Sequence, residues 1–344
     1  MATVVDREIV LAVEDLCVEL SIGGTWVQAL NDVSVTIRRG EVLGLVGESG
    51  SGKSLTALSI AGLLPDNARV IAGSIRLNGD EVLGKSEQAL NRLRARSVAL
   101  VFQNPTSYLN PVLTVGDQIA EIFELNPELL DDGHARAPRS RRERRREAWR
   151  KTIEALRLVR IPDPAAVVAR YPFELSGGMQ QRVVIAMALV REPDLIIADE
   201  ITTALDVTVQ AQILSLLAEL RRTIGMTLLL ITHDLGIVAQ LADRVAVMYS
   251  GSVVESSDVS SLFRAPKHPY AKALLETVPT IHGDHTGFRP IPGAMPALTD
   301  PPPGCRFHPR CPDVLPACST VAPEPLAVAR DHIVACHLHG TPRR

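Results

Sequence analysis

Apolar and polar residues alternate through the first forty positions of the chain. Ile9-Val10-Leu11-Ala12-Val13 and Val33-Ser34-Val35-Thr36-Ile37, the latter ahead of Arg38-Arg39-Gly40, predict antiparallel strands joined by turns. Residues 41–46 form a short apolar run of the kind a buried strand shows, and residues 55–61 predict the helix after it. Another apolar strand is expected over 94–101, leading into Phe102-Gln103. Residues from about 104 to 174 carry helical patterning broken by prolines. From Leu195 onward strand and helix alternate: a strand over 195–198, a helix over 211–223 and a strand over 227–231. That alternation predicts a parallel sheet covered by helices. After about residue 262 Pro, His, Gly and Cys take over and periodicity fades, so a boundary is placed between 1–261 and 262–344. No internal repeat is found.

Composition narrows the class. A chain of 344 residues, 46% apolar and only 3% aromatic, suits an α/β protein of two domains with a small-residue aliphatic core. No stretch of 18 apolar residues and no leader pattern is present, which points to residence in the cytosol. A net charge of −3 argues against a dedicated nucleic-acid binder. The basic run 139–151 reads as a solvated helix in which Glu143 and Glu147 lie one turn from arginines; contact with anionic lipid or a partner is the alternative.

The candidate chemistry begins at Gly47-Glu48-Ser49-Gly50-Ser51-Gly52-Lys53-Ser54, which fits G-x-x-x-x-G-K-[ST] at every defined position, between a predicted strand and a predicted helix. Glycines let the backbone wrap close to phosphate, and the amides through Leu55 at the helix start point at the anion. Lys53 is expected to reach the β- and γ-phosphates of a nucleoside triphosphate, and the Ser54 hydroxyl to ligate Mg²⁺. The strand over 195–198 ends in Asp199 and Glu200. Asp199 is placed to hold Mg²⁺, and Glu200 to orient and polarise the attacking water. Leu175-Ser176-Gly177-Gly178-Met179-Gln180-Gln181-Arg182 joins a hydroxyl, two glycines and a helix start, a second phosphate-binding helix N-terminus with Gln180 beside it.

Together these residues resemble the ATP-binding cassette (ABC) family. The resemblance implies an α/β phosphate-loop NTPase with a mixed core sheet, an N-terminal antiparallel β subdomain, a helical subdomain over about 104–174 and a small irregular C-terminal extension. It also implies head-to-tail pairing of two cassettes, in which Ser176, Gly177 and Gly178 contact the γ-phosphate held by the partner. Gln103 matches the glutamine that reaches Mg²⁺, the water and the transmembrane partner. Ala204-Leu205-Asp206 matches the loop that crosses the dimer, and Thr232-His233-Asp234 the switch histidine, which would hydrogen-bond the γ-phosphate and support Glu200. Two positions depart from the family. Ile201 stands where proline is usual, and no ring occupies the expected adenine-stacking position near Leu20, leaving Trp26 as the candidate.

The tail resembles the C-terminal extension of the oligopeptide and dipeptide importer ATPases, through Lys267-His268-Pro269-Tyr270-Ala271-Lys272-Ala273-Leu274-Leu275 and Cys305-Arg306-Phe307-His308-Pro309-Arg310-Cys311-Pro312. Phe102-Gln103-Asn104-Pro105 and the run 109–116 point the same way. Nickel and glutathione importers share this pattern. The implied protein is a peripheral ATPase at the cytoplasmic face of the membrane, driving peptide import. Its implied partners are a second cassette subunit (more often a paralogue than a copy), two transmembrane permease subunits and an extracytoplasmic solute-binding protein. A non-transport cassette acting on nucleic acid or ribosomes is the competing class. Cys305, Cys311, Cys318 and Cys336 suggest one thiolate-ligated metal centre, their spacing too wide for a zinc knuckle. The resemblance associates them with a [4Fe–4S] cluster, with zinc as the alternative. Cys17 reads as a small buried hydrophobe.

Overall fold

The computed structural model describes residues 8–102, 104–130, 140–201, 206–277 and 291–340. The chain divides into two compact units, one of residues 1–90 with 227–344 and the other of residues 91–226.

In the first unit, β1 (Ile9–Ile22) and β2 (Thr25–Arg38) form a long antiparallel hairpin. It buries Val10, Leu11, Val13, Leu16, Val18, Leu30, Val33 and Ile37, while Glu14, Asp15, Asp32 and Ser34 face outward; register shifts along β1 interrupt strict alternation. Cys17 is buried there, as expected: its Sγ donates to Asp32 Oδ1 at 3.2 Å, and burial pushes the thiol above its usual pKa, which holds it as an unreactive thiol. The fully buried β3 (Val42–Val46) follows, then α1 (Lys53–Ile60), and β4 (Ala68–Leu77) with β5 (Asp80–Glu81) complete a four-stranded antiparallel sheet ordered β2-β1-β4-β5.

Next in the chain come α2 (Glu87–Arg96) and β6 (Val98–Val101). Arg94, Ala95 and Arg96, expected in a strand, instead close this helix, where their positive charge suits its C-terminal end. The second unit continues with α3 (Val115–Leu125), α4 (Arg141–Leu158), α5 (Pro164–Val167), α6 (Gly177–Leu189), β7 (Leu195–Asp199) and α7 (Val207–Ile224). β6 and β7 pair in parallel, Val98 opposite Leu195. α4 carries most of the basic run. Ser140 and Glu143 cap it reciprocally, Arg150 pairs with Glu147 and Glu154, and Arg145 lies 4.0 Å from Asp117. These pairs fit the solvated-helix reading.

The chain then returns to the first unit through β8 (Leu228–Thr232), α8 (Leu235–Leu241), β9 (Arg244–Tyr249), β10 (Ser252–Asp258), α9 (Val259–Arg264) and α10 (Pro269–Glu276). It ends in the small hairpin β11 (Leu326–Ala329) and β12 (His332–Val334). Within this unit the strands run in the order β11-β12-β10-β9-β3-β8. β3 lies parallel to both β8 and β9, whereas β10 and β12 are antiparallel to their neighbours, so the sheet is mixed.

The tail shares a core with the sheet rather than standing clear of it. Tyr249 of β9, Tyr270 of α10 and Phe307 are almost completely buried, with ring centroids 4.6–5.4 Å apart at tilted and edge-on angles. Glu255 on β10 fastens the tail from beneath. Its carboxylate accepts the backbone N–H groups of Lys267 (2.9 and 3.0 Å) and His268 (2.7 Å) and meets His332 Nε2 at 2.8 Å, with its side chain fully buried. His268 caps α10 by accepting the Tyr270 N–H at Nδ1 (3.0 Å).

Glu255→Ala strands these buried donors. It is expected to destabilise the first unit by about 3–5 kcal/mol, read as a lowered denaturant midpoint, whereas an unchanged midpoint would remove Glu255 from this role. Burial, and secondarily the charge of His339, pushes His268 down to about 3. Below about pH 6.5 the unfolded chain therefore takes up a proton that the native imidazole refuses, so stability present above that pH falls as acid is added, by up to about 1.4 kcal/mol per pH unit. His268→Asn keeps a capping acceptor without the titration and is expected to flatten this acid slope between pH 6.5 and 4; an identical slope would show that another group sets it.

Candidate nucleotide-binding site

Within the first unit the loop 47–52 leaves the carboxyl end of β3, between the ends of β8 and β9. Val46 lies opposite Thr232 on one side and Val247 on the other. Ligands of parallel α/β sheets gather at such strand ends. The sequence permits a tight loop here because Gly47 presses on the next strand: a Cβ at this position would stand 2.1 Å from the Met248 carbonyl oxygen. Ser51 is buried, and its carbonyl accepts the Gly251 N–H at 2.8 Å. Gly52, in the left-handed region at φ 105°, caps α1, whose first turn holds no acidic residue to oppose an anion. Ser49, Gly50 and Ser54 are exposed, and Leu55 is partly so.

Lys53 is buried and folds back along the loop. Its Nζ donates to the carbonyls of Gly47 (2.8 Å) and Glu48 (2.9 Å) and lies 3.3 Å from Ser51 Oγ. His233 follows the last residue of β8 and is exposed at the same edge as the loop. Asp234 next to it caps α8 by accepting the Gly236 and Ile237 N–H groups, and its own N–H donates to Thr232 Oγ1, which sets the chain's exit angle.

Glu48, the one acid in the loop, is gripped by the tail. Its N–H donates to Tyr270 Oη at 2.9 Å, and its carboxylate meets the Arg310 guanidinium at 3.1–3.3 Å. Neither Tyr270 nor Arg310 was expected at the site. The signal available in the sequence was an acid lodged among phosphate-binding residues, which calls for a cation nearby. With 36 lysines and arginines in the chain, nothing local singles out Arg310.

The second unit carries the other candidates. Asp199 is buried at the end of β7, where its charge, after burial itself, pushes the Tyr108 phenol above its usual pKa. Glu200 takes φ 50°, a left-handed backbone that is strained for a non-glycine residue and concentrates at functional positions. Ile201 behind it is buried. Ser176 caps α6 by accepting the Met179 N–H at 3.4 Å, Gly177 opens the helix, and Gly178 packs so closely that a Cβ would lie 2.5 Å from Val209 Cγ1. Gln180 lies beneath this loop, its amide donated to the Pro172 (2.9 Å) and Leu175 (3.3 Å) carbonyls, so it braces the loop from inside. Asp206 caps α7 through the Val209 N–H. Gln103, Ala204 and Leu205 lie outside the described residues. In the first unit, Trp26 on β2 is half exposed, with the Arg69 guanidinium 4.1 Å above its ring.

The metal centre expected in the tail is corrected by the structure. Among the described residues no group of three or more His, Cys, Asp and Glu side chains is arranged to hold a metal ion, so neither the [4Fe–4S] cluster nor its zinc alternative has a site. Cys305, Cys311, Cys318 and Cys336 are free thiols. Burial pushes Cys305 up to about 11 and raises Cys311 and Cys336, and mutual repulsion adds to this, which favours thiol over the thiolate a metal takes. Cys318 Sγ instead accepts the Leu315 N–H at 3.4 Å. The spacing brought the cysteines into one neighbourhood without turning them toward one point.

A family model described as ABC transporter matches residues 30–203, and one described as the C-terminal region of oligopeptide/dipeptide transporters matches 254–318. The chain is 48% identical over 327 residues to the oligopeptide transport ATP-binding protein OppD of Mycobacterium tuberculosis, covering 95% of this chain and 51% of that one. It thus spans about half the length of that relative. The dipeptide transport ATP-binding protein DppD of Bacillus subtilis is 44% identical, with 96% of this chain and 95% of that one covered. Among solved structures, a dimeric ABC cassette in a post-hydrolysis state with ADP and phosphate is similar at TM-score 0.59 and 27% identity, over 72% of this chain and 98% of that one. A Clostridium perfringens cassette of the cbiONQ transporter complex gives TM-score 0.61 and 28% identity, over 75% and 92%. With its glycine loop at the end of β3 and its tail matched as well as its cassette, the chain belongs to the ABC transporter family, alongside the ATP-binding proteins of oligopeptide and dipeptide transport.

Proposed function

We propose that this chain is the ATP-hydrolysing, nucleotide-binding subunit of an importer for oligopeptides or dipeptides. The observation that carries the reading is the loop 47–52 at the carboxyl end of β3, with Lys53 oriented along it and His233 at the end of the adjoining strand. The loop amides and Lys53 bind the triphosphate, and His233 contacts the γ-phosphate. Glu200 orients and polarises the water for in-line attack, and Gln103 links this chemistry to the permease. Ser54, Gln103 and Asp199 offer the hard oxygen donors that Mg²⁺ takes, and when bound the ion offsets charge on the phosphate oxygens. Ser176, Gly177 and Gly178, with Asp206 at the start of α7, whose Val209 packs on Gly178, serve the nucleotide held by a second cassette. Trp26 is the proposed adenine contact.

Among the described residues no helix is long and apolar enough to cross a membrane; in the proposed assembly permease subunits provide the passage. The proposed location is the membrane's cytoplasmic face, with a paralogous cassette and an extracytoplasmic solute-binding protein completing the assembly. The names of the relatives favour peptides over nickel or glutathione as the solute. The ion pairs along α4 favour a solvated helix over a nucleic-acid surface.

Two substitutions test the reading. Glu200→Gln is expected to lower ATP turnover by roughly 100-fold or more while retaining an ATP-bound dimer in size-exclusion chromatography; turnover like that of the unaltered chain would remove Glu200 from catalysis. Gly47→Ala drives a methyl group into the Met248 carbonyl, so the loop must move. Nucleotide affinity is expected to fall at least about tenfold, measured by fluorescent ATP-analogue titration, and an unchanged affinity would mean that the loop does not set binding.

A further inference from the structure

The phosphate loop contains a single acid, and the tail holds that residue at two points. The Glu48 N–H donates to Tyr270 Oη at 2.9 Å, and the Glu48 carboxylate meets both terminal nitrogens of Arg310 at 3.1–3.3 Å. Tyr270 is fully buried and the Arg310 side chain is only 5% exposed. Arg310 is itself fixed: it donates to Tyr249 Oη (3.3 Å) and to the carbonyls of Pro292 (2.7 Å) and Ile291 (3.4 Å), and it lies about 6 Å from the Tyr249 and Phe307 ring centres. The Glu48 carbonyl, in turn, accepts from Lys53 Nζ at 2.9 Å. The chain of contacts therefore runs from the tail through Glu48 to the ammonium group that is to meet the phosphates.

We infer that Arg310 and Tyr270 are positioning residues for nucleotide binding: through Glu48 the C-terminal segment sets both the shape and the charge of the phosphate loop. This rests on the ATP-binding reading above and extends it to residues 222 and 262 positions from Glu48. Two physical effects act together. Arg310 neutralises a carboxylate that would otherwise repel a triphosphate at close range, where a half-buried charge is poorly screened. Tyr270 fixes the direction of the Gly47–Glu48 peptide, so the Gly47 carbonyl on its far side presents a constant acceptor to Lys53, at 2.8 Å. The bidentate geometry suits a guanidinium and is not reproduced by an ammonium group.

The test is titration of the full-length chain with a fluorescent ATP analogue and Mg²⁺, at low and high salt, with thermal melting followed in parallel. Arg310→Met, which keeps length and apolar packing, is expected to weaken binding roughly tenfold, more at low salt than at high. Arg310→Lys is expected to recover part of that loss. Adding Glu48→Gln to Arg310→Met removes the stranded carboxylate and is expected to restore affinity to within about threefold of the unaltered chain. Tyr270→Phe removes only the hydroxyl and is expected to weaken binding about threefold with a near-native melting temperature. A merely structural role for Arg310 would leave the double variant as weak as Arg310→Met, and that result overturns the inference. So does native affinity in both Arg310→Met and Tyr270→Phe. Failure of the unaltered chain itself to bind the analogue would instead bring down the ATP-binding reading, and this inference with it.

Discussion

A loop that binds phosphate must keep its own backbone amides turned outward, yet its carbonyls and remaining polar groups still need partners. In this protein that constraint is met at the end of β3, where few groups of the loop are left to the loop alone. Lys53 takes the Gly47 and Glu48 carbonyls, Gly251 takes the Ser51 carbonyl, and the tail takes the Glu48 N–H and carboxylate. The close approach of Gly47 to Met248 leaves no room for the loop to settle deeper. Much else in the first unit follows from this. β9 supplies the floor, α10 and the segment around Phe307 supply the outer wall, and the three packed rings keep wall and floor in register.

What could be read from the sequence was mostly what lies close together along it. The strand, glycine loop and helix from Val42 to Ile60 are legible because backbone conformation, anion binding and helix start are encoded in consecutive residues. The same holds for Asp199 at the end of β7 and for Thr232-His233 at the end of β8. Legibility fell away where meaning depended on residues far apart. Arg310 is one basic residue among many until the fold sets it against Glu48. Glu255 gives no sign in sequence that two backbone N–H groups and a histidine will converge on it.

The cysteines teach the complementary lesson. Spacing can show that four thiols share a region, but ligation depends on where each Sγ points, and that is fixed by local turns. The segment around Cys318 turns its sulfur toward the Leu315 N–H, while its carbonyl takes the Cys305 N–H at 2.8 Å. Backbone pairing thus draws these turns of the tail together without arranging the described cysteines as a metal-binding group. The shortened strand β6 makes a similar point on a smaller scale. Arg94 and Arg96 flank an apolar run, but Leu90 and Leu93 keep helical spacing, and the helix continues until Arg96.

The hairpin at the chain's end also changes how the molecule meets its neighbours. β10 pairs with β9 on one side, and on the other Glu255 and Ser256 pair with Val334 and Ile333 of β12. Had the sheet stopped at β10, a seven-residue strand would have offered its open backbone to any extended chain in reach. The last strand is instead the four-residue β11, too short to template much further pairing. The hairpin thereby covers the outer edge of β10 at Glu255 and Ser256 and leaves little open backbone for another extended chain to join.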